Sequence, residues 1–224
     1  MLWNRKKNKK LKRKKGMFHV EQSPQITDNQ GIRPAPQTTR MITIANQKGG
    51  VAKTTTAVNL SACLAASGRR VLLVDIDPQG NATSGLGIDS DKLDLSVYDL
   101  LLGEAETEQV IVNLQIENLD VIPADISLAG AEIEMVGMEN RECRLREALK
   151  VIKDRYHYIF IDCPPSLGLL TVNALTAADR VLIPIQCEYY ALEGVGQLLQ
   201  TINLVQRRLN PLLELEGVLL TMFD

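Results

Sequence analysis

The chain is constrained most by a junction within its first third. Met41 to Ala45 is a short apolar run, Asn46 to Thr55 is a glycine-bearing loop ending in Lys-Thr-Thr, and Lys53 to Ser67 is an Ala-rich helical pattern stopped by Gly68. A buried strand that turns through glycines straight into a helix leaves the first-turn N–H groups of that helix without a partner. Those groups, the positive end of the helix dipole and successive loop amides form a nest for phosphate oxygens. In that setting Lys53 can reach β- and γ-phosphates, the Thr54 hydroxyl can ligate Mg2+, and Thr55 can bond the α-phosphate region. A Gly-Gly-Lys cluster alone would be an ordinary turn; the strand before it and the helix after it make it specific.

Further apolar runs read as strands at Val71 to Asp75, Leu119 to Pro123, Tyr158 to Asp162, Arg180 to Pro184 and Gly217 to Met222. They are continuous rather than alternating, as in strands covered on both faces. Helical periodicity appears at Leu145, Ala148, Leu149, Ile152 and Tyr156, and again at Val195, Leu198, Leu199, Ile202 and Leu209, with Pro211 just beyond. The alternation predicts an α/β fold, a doubly wound and mostly parallel sheet with helices on both faces. Aromatic residues make up only 4% of the 224, so its core must be aliphatic. No apolar run approaches the ~18 residues that span a bilayer, and the four cysteines have neither pairing nor metal-ligand spacing, which reads as reduced cytosolic thiols.

Acidic residues close two of the strands. The second ends Asp75-Ile76-Asp77-Pro78-Gln79-Gly80-Asn81, and the fourth ends Ile161-Asp162-Cys163-Pro164-Pro165-Ser166. A carboxylate at the end of an apolar strand beside a phosphate loop is placed to hold Mg2+, and Asp162 has that position. Asp77 by itself reads equally as a turn carboxylate.

Lys48-Gly49-Gly50-Val51-Ala52-Lys53-Thr54-Thr55 resembles the deviant Walker A signature KGGVGKTT of the ParA/MinD class of P-loop ATPases. Asp75 to Asn81 resembles that class's DxDPQGN segment, Ile161 to Leu175 its switch region, and Gln186 to Gly194 its QCEYYALEG stretch. The likeness covers residues 41–224 and is nearest to the chromosomal ParA proteins also called Soj. It implies ATP and Mg2+ as cofactors and residues 48–55 as the nucleotide cradle. It also implies Thr54 and Asp162 at the metal, and Asp77 orienting the attacking water. Lys48 would reach across an ATP-dependent homodimer to the partner's nucleotide. The implied partners are nonspecific DNA and a ParB-like protein that stimulates hydrolysis, with no membrane. The implied role is chromosome or plasmid segregation in the cytoplasm on the nucleoid, with a possible extension to sporulation or replication initiation. Iron proteins of the nitrogenase type need cluster-ligating cysteines, and MinD a C-terminal membrane helix; neither pattern is present.

Two departures stand out. Ala52 replaces the family glycine before the P-loop lysine, and a positive φ there would cost alanine about 1–2 kcal/mol. The sequence also stops at Asp224, where relatives continue, which reads as a C-terminal truncation exposing apolar surface and an edge strand. The alternative function is therefore a degenerate, non-hydrolysing relative that acts as a protein- or DNA-binding module.

Residues 1–40 differ from the rest. The first fifteen hold nine Lys or Arg and no acid, whereas from Met41 onward 14 basic residues face 25 acidic ones, a net of −11. Such an acidic body binds DNA only through a local basic patch. The stretch 1–40 reads as a basic, disordered extension, a DNA- or membrane-binding arm or a solvated tail. It reads equally as sequence upstream of a start near Met41. In that case Met17 to Gln22 is a DNA site read through as protein, since a palindrome resembling ParB-bound sites can encode it.

Overall fold

The computed structural model describes residues 38–187 and 191–222. The expectations for residues 1–37, and for residues 188–190 of the QCEYYALEG stretch, lie outside the described residues. Seven strands form one sheet in the order β3-β4-β2-β5-β1-β6-β7. They are β1 (Arg40–Ile44), β2 (Val71–Asp75), β3 (Val112–Asn113), β4 (Leu119–Ile122), β5 (Tyr158–Asp162), β6 (Arg180–Gln186) and β7 (Glu214–Thr221). All neighbours are parallel except the short β3, which is antiparallel to β4. The helices are α1 (Lys53–Ala66), α2 (Asn81–Gly85), α3 (Val97–Leu102), α4 (Thr107–Val110), α5 (Leu128–Glu134), α6 (Arg144–Lys150), α7 (Leu169–Ala177) and α8 (Ala191–Arg208). This is the doubly wound, mostly parallel α/β architecture that the sequence predicts.

The pleat explains why the strands are apolar throughout. On one face Met41, Leu72, Val74, Ile159 and Ile161 pack with Leu145 and Leu149 of α6, Ala174 of α7 and Leu198 of α8. On the other face Ile42, Ile44, Val71, Leu73 and Phe160 pack with Ala57 and Ala65 of α1. Successive residues therefore enter opposite cores, and each buried Leu or Ile contributes about 1.5–3 kcal/mol. Thr43 is the polar exception in β1, and its hydroxyl donates to the Ala174 carbonyl at 3.0 Å.

Three details differ from the sequence reading. The periodic segment from Leu145 to Tyr156 is helical only to Lys150, then passes through a 3-10 turn at Lys153–Arg155. Ile152 and Tyr156 remain buried, so the core-facing period survives while the β-branched Val151-Ile152 pair ends the helix. Strand β7 starts at Glu214 rather than Gly217, since its ladder with β6 already begins at Arg180 opposite Glu214, where Arg180 also pairs with Glu214 and Glu216 at 2.8 and 3.2 Å. β3 carries no strand signal in sequence because it is two residues long.

The last strand of the described sheet, β7, leaves Leu215, Val218, Leu219 and Leu220 exposed, the apolar edge expected from the sequence. No described helix is long and apolar enough to cross a membrane.

Asn173 ties α6 to α7 from full burial. Its side-chain oxygen accepts from Leu145 N at 3.1 Å, and its amide donates to the carbonyls of Arg141 and Leu169 at 2.8 and 3.0 Å. Asn173→Ala leaves those groups without partners and is expected to lower stability by about 2–3 kcal/mol. A shift of the urea midpoint at constant slope checks this.

Candidate nucleotide-binding site

The loop after β1 is held before any ligand is considered. The Asn46 side chain, buried, donates to the Pro184 carbonyl of β6 at 2.7 Å and accepts from Lys48 N at 3.0 Å. From the other side, the Thr221 hydroxyl of β7 donates to the Val51 carbonyl at 3.3 Å. Gly50 and Ala52 both take left-handed backbone, φ 74° and 64°. Left-handed residues alternating with right-handed ones turn successive amides inward, the geometry of an anion nest. No side chain caps α1, so its first-turn N–H groups face the loop with acceptors still to be supplied.

The sequence-predicted residues converge on this loop. Lys53, buried, donates from Nζ to the Lys48 carbonyl at 3.1 Å. Burial lowers its pKa, and the nearby Asp162, Cys163 and Asp77 draw it back up. Gly49, Gly50 and Thr55 are exposed, while Lys48, Ala52 and Thr54 are half-buried and Val51 is buried.

Strand register brings the carboxylates together. β5 lies between β1 and β2, and Asp162 is level with Ile44 on one side and Asp75 on the other. Asp162 is fully buried, and neither carboxylate oxygen meets a hydrogen-bond donor. The Thr54 hydroxyl lies close enough to favour the charged form but outside hydrogen-bond geometry. Burial pushes the Asp162 pKa up to about 7, with Asp75 and Asp77 adding to the rise and Thr54 and Lys53 opposing it. An orphaned buried carboxylate beside a threonine hydroxyl is a fitting donor set for Mg2+, which takes few protein oxygens and fills its shell with water and phosphate.

Asp77 is 6% exposed, and its carboxylate accepts from Gln79 N at 3.0 Å. It is positioned by a residue to which sequence reasoning gave no role, Asp75. That buried carboxylate accepts from Asp77 N at 3.1 Å, Thr83 N at 2.9 Å and the Thr83 hydroxyl at 2.8 Å. Thr83 in turn accepts from Ala124 N at 2.9 Å, anchoring the segment to the end of β4. Gly80 closes the turn at φ 57°, where a Cβ would stand 3.1 Å from the Ala124 carbonyl oxygen. The signal for Asp75 was its position two residues before Asp77. Asn46 carried none, because its partner lies on β6.

Ala52 carries the expected strain. Its φ of 64° lies where a Cβ is disfavoured. Ala52→Gly is expected to raise stability by about 1 kcal/mol in urea unfolding without nucleotide, against the usual trend for glycine. The buried carboxyls set a second expectation. Burial raises Asp75 to about 6 and Asp162 to about 7 from an ordinary 3.8. The folded protein therefore holds more protons than the unfolded chain between these values. Their contribution to stability is full below pH 3.8 and is lost as pH rises through about 7. Urea unfolding at pH 5 and pH 7.5 without Mg2+ should show this decline, which Asp75→Asn should reduce.

An AAA domain family model matches residues 39–215. The sporulation initiation inhibitor protein Soj of Bacillus subtilis is 64% identical over 185 residues, covering 83% of this chain and 73% of Soj. The chromosome partitioning protein ParA of Caulobacter vibrioides is 55% identical over 187 residues, covering 83% of this chain and 70% of ParA. Among solved structures, one from Mycobacterium smegmatis, titled cobyrinic acid a,c-diamide synthase with bound ADP and magnesium, superposes with a TM-score of 0.81. It shares 50% identity and covers 84% of this chain and 76% of that one. With its phosphate loop, its strand-end carboxylates and these relatives, the chain belongs to the Soj/ParA family of chromosome-partitioning ATPases.

Proposed function

We propose that residues 41–224 are an ATPase domain that binds Mg2+ and ATP at Lys48–Thr55 and hydrolyses the γ-phosphate to drive chromosome or plasmid partition. The carrying observation is the orphaned Asp162 carboxylate, buried beside Lys53 and Thr54 at an uncapped helix start. In this reading residues 48–55 cradle the phosphates through backbone N–H groups, and Lys53 leaves the Lys48 carbonyl for the β- and γ-phosphate oxygens. Thr54 and Asp162 hold Mg2+, Asp162 through water; the ion neutralises charge on the β- and γ-phosphate oxygens. Asp77, fixed by Asp75, orients water for in-line attack.

Lys48 acts across an ATP-dependent homodimer on the second copy's nucleotide. The dimer binds DNA nonspecifically on the nucleoid in the cytoplasm, and a ParB-like protein stimulates hydrolysis and release. The nucleotide and magnesium in the mycobacterial structure support the cofactors, and the names of the bacterial relatives support the role in partition.

Ala52 favours a second reading, a relative that keeps the fold and partner contacts but does not turn over ATP. The deciding experiment measures equilibrium binding of ATP and ADP with and without Mg2+, together with phosphate release, for the chain and for Ala52→Gly and Asp77→Ala. Ala52→Gly, which removes the Cβ from a left-handed position beside the phosphates, should bind ATP at least as tightly as the chain, with any gain within about the tenfold that 1.4 kcal/mol gives. Asp77→Ala should abolish turnover while keeping binding. Mg2+-dependent binding without turnover in the chain selects the second reading, whatever Ala52→Gly does. No binding by either form removes the ATPase reading.

A further inference from the structure

Helix α7 begins at Leu169 directly after the loop that leaves Asp162, and its own N-cap residue, Gly168, has no side chain to cap it. The cap comes from elsewhere in the fold. Glu132 of α5 accepts a hydrogen bond from Leu170 N through Oε1 at 3.1 Å. The fit is tight enough that a Cβ at Gly168 would collide with the Glu132 carboxylate. A Cβ at 168 would therefore displace the carboxylate, while the backbone there, at φ −75° and ψ −169°, makes no demand for glycine.

The loop between Asp162 and α7 behaves as one piece. Pro164 and Pro165 fix φ at successive positions, and the Ser166 carbonyl accepts from the Thr171 hydroxyl at 2.7 Å. The first turn of α7 is thereby tied to the loop that follows Asp162, whose own backbone is held between β1 and β2. Glu132 restrains that turn from α5, whose Leu128 and Ala131 are anchored in the core. The contact lies at a cavity of about 600 Å³ between Glu132, Leu167, Leu169, Leu204 and Val205.

We propose that Glu132 is a positioning residue for ATP hydrolysis, pinning the start of α7 and, through it, the loop that leaves Asp162 at the edge of the site. The role rests on the ATPase reading above. Capping and electrostatic attraction at the start of α7 give the carboxylate its hold, and a small displacement of an active group lowers turnover more than binding.

The test compares Glu132→Ala, Glu132→Gln, Gly168→Ala and the Glu132→Ala/Gly168→Ala pair in the full chain. Alanine favours helix, so α5 is not endangered. Glu132→Ala should lower kcat by about tenfold with KM for ATP within about twofold, and should speed amide exchange at Leu170. Glu132→Gln keeps an acceptor and should recover most of both. Gly168→Ala displaces the flexible carboxylate, so it should match Glu132→Ala, and the pair should be no worse than either alone. Unchanged exchange at Leu170, or faster exchange with unchanged kcat, overturns the role. Additive losses in the pair overturn it too. A chain that hydrolyses no ATP before any substitution instead refutes the enzymatic reading, and this role falls with it.

Discussion

Everything at the candidate site depends on the register of three parallel strands. β1, β5 and β2 end level with one another, so the phosphate loop, Asp162 and the Asp75–Asp77 segment leave the sheet at one edge. Parallel pairing allows this because each strand needs a crossover, and the crossovers return every carboxyl end to the same side. A slip of one residue in β5 would turn Asp162 into the opposite core and bring Ile161 to the edge. The apolar content of both faces forbids that slip, so core packing and site geometry are one constraint.

The cost of the arrangement is concentrated at the same edge. Asp75 and Asp162 are carboxylates buried where burial favours the neutral acid, and Ala52 holds a backbone conformation that its Cβ disfavours. Asp75 recovers its cost through bonds to Asp77 and Thr83, which make it a strut. Asp162 recovers nothing within the chain. A buried polar group left without a partner is the mark of a site that awaits a ligand.

Support for the site comes from far along the chain. Pro184 on β6 fixes Asn46, Thr221 on β7 braces Val51, Ala124 after β4 anchors Thr83, and Glu132 on α5 caps α7. These contacts, two through backbone and two through side chains, anchor the candidate site from four parts of the fold. The local loop is short and glycine-bearing, and on its own would sample many shapes; the distant anchors select one.

The sequence by itself determined the architecture, the phosphate loop and the strand-end acids, because each is a local pattern. An unbroken apolar run means a strand covered on both faces, and glycines between strand and helix mean a nest. The resemblance to the family signature, which has glycine at that place, also marked Ala52. Tertiary structure alone decided which acid supports and which remains unsatisfied. Asp75 and Asp77 are two residues apart on one segment, yet their roles separate through Thr83 and Ala124, folded over from other elements. Glu132, Asn46 and Thr221 were silent in sequence for the same reason. A hydrogen bond between residues tens of positions apart leaves no periodic trace, and only packing of the two layers brings its ends within reach.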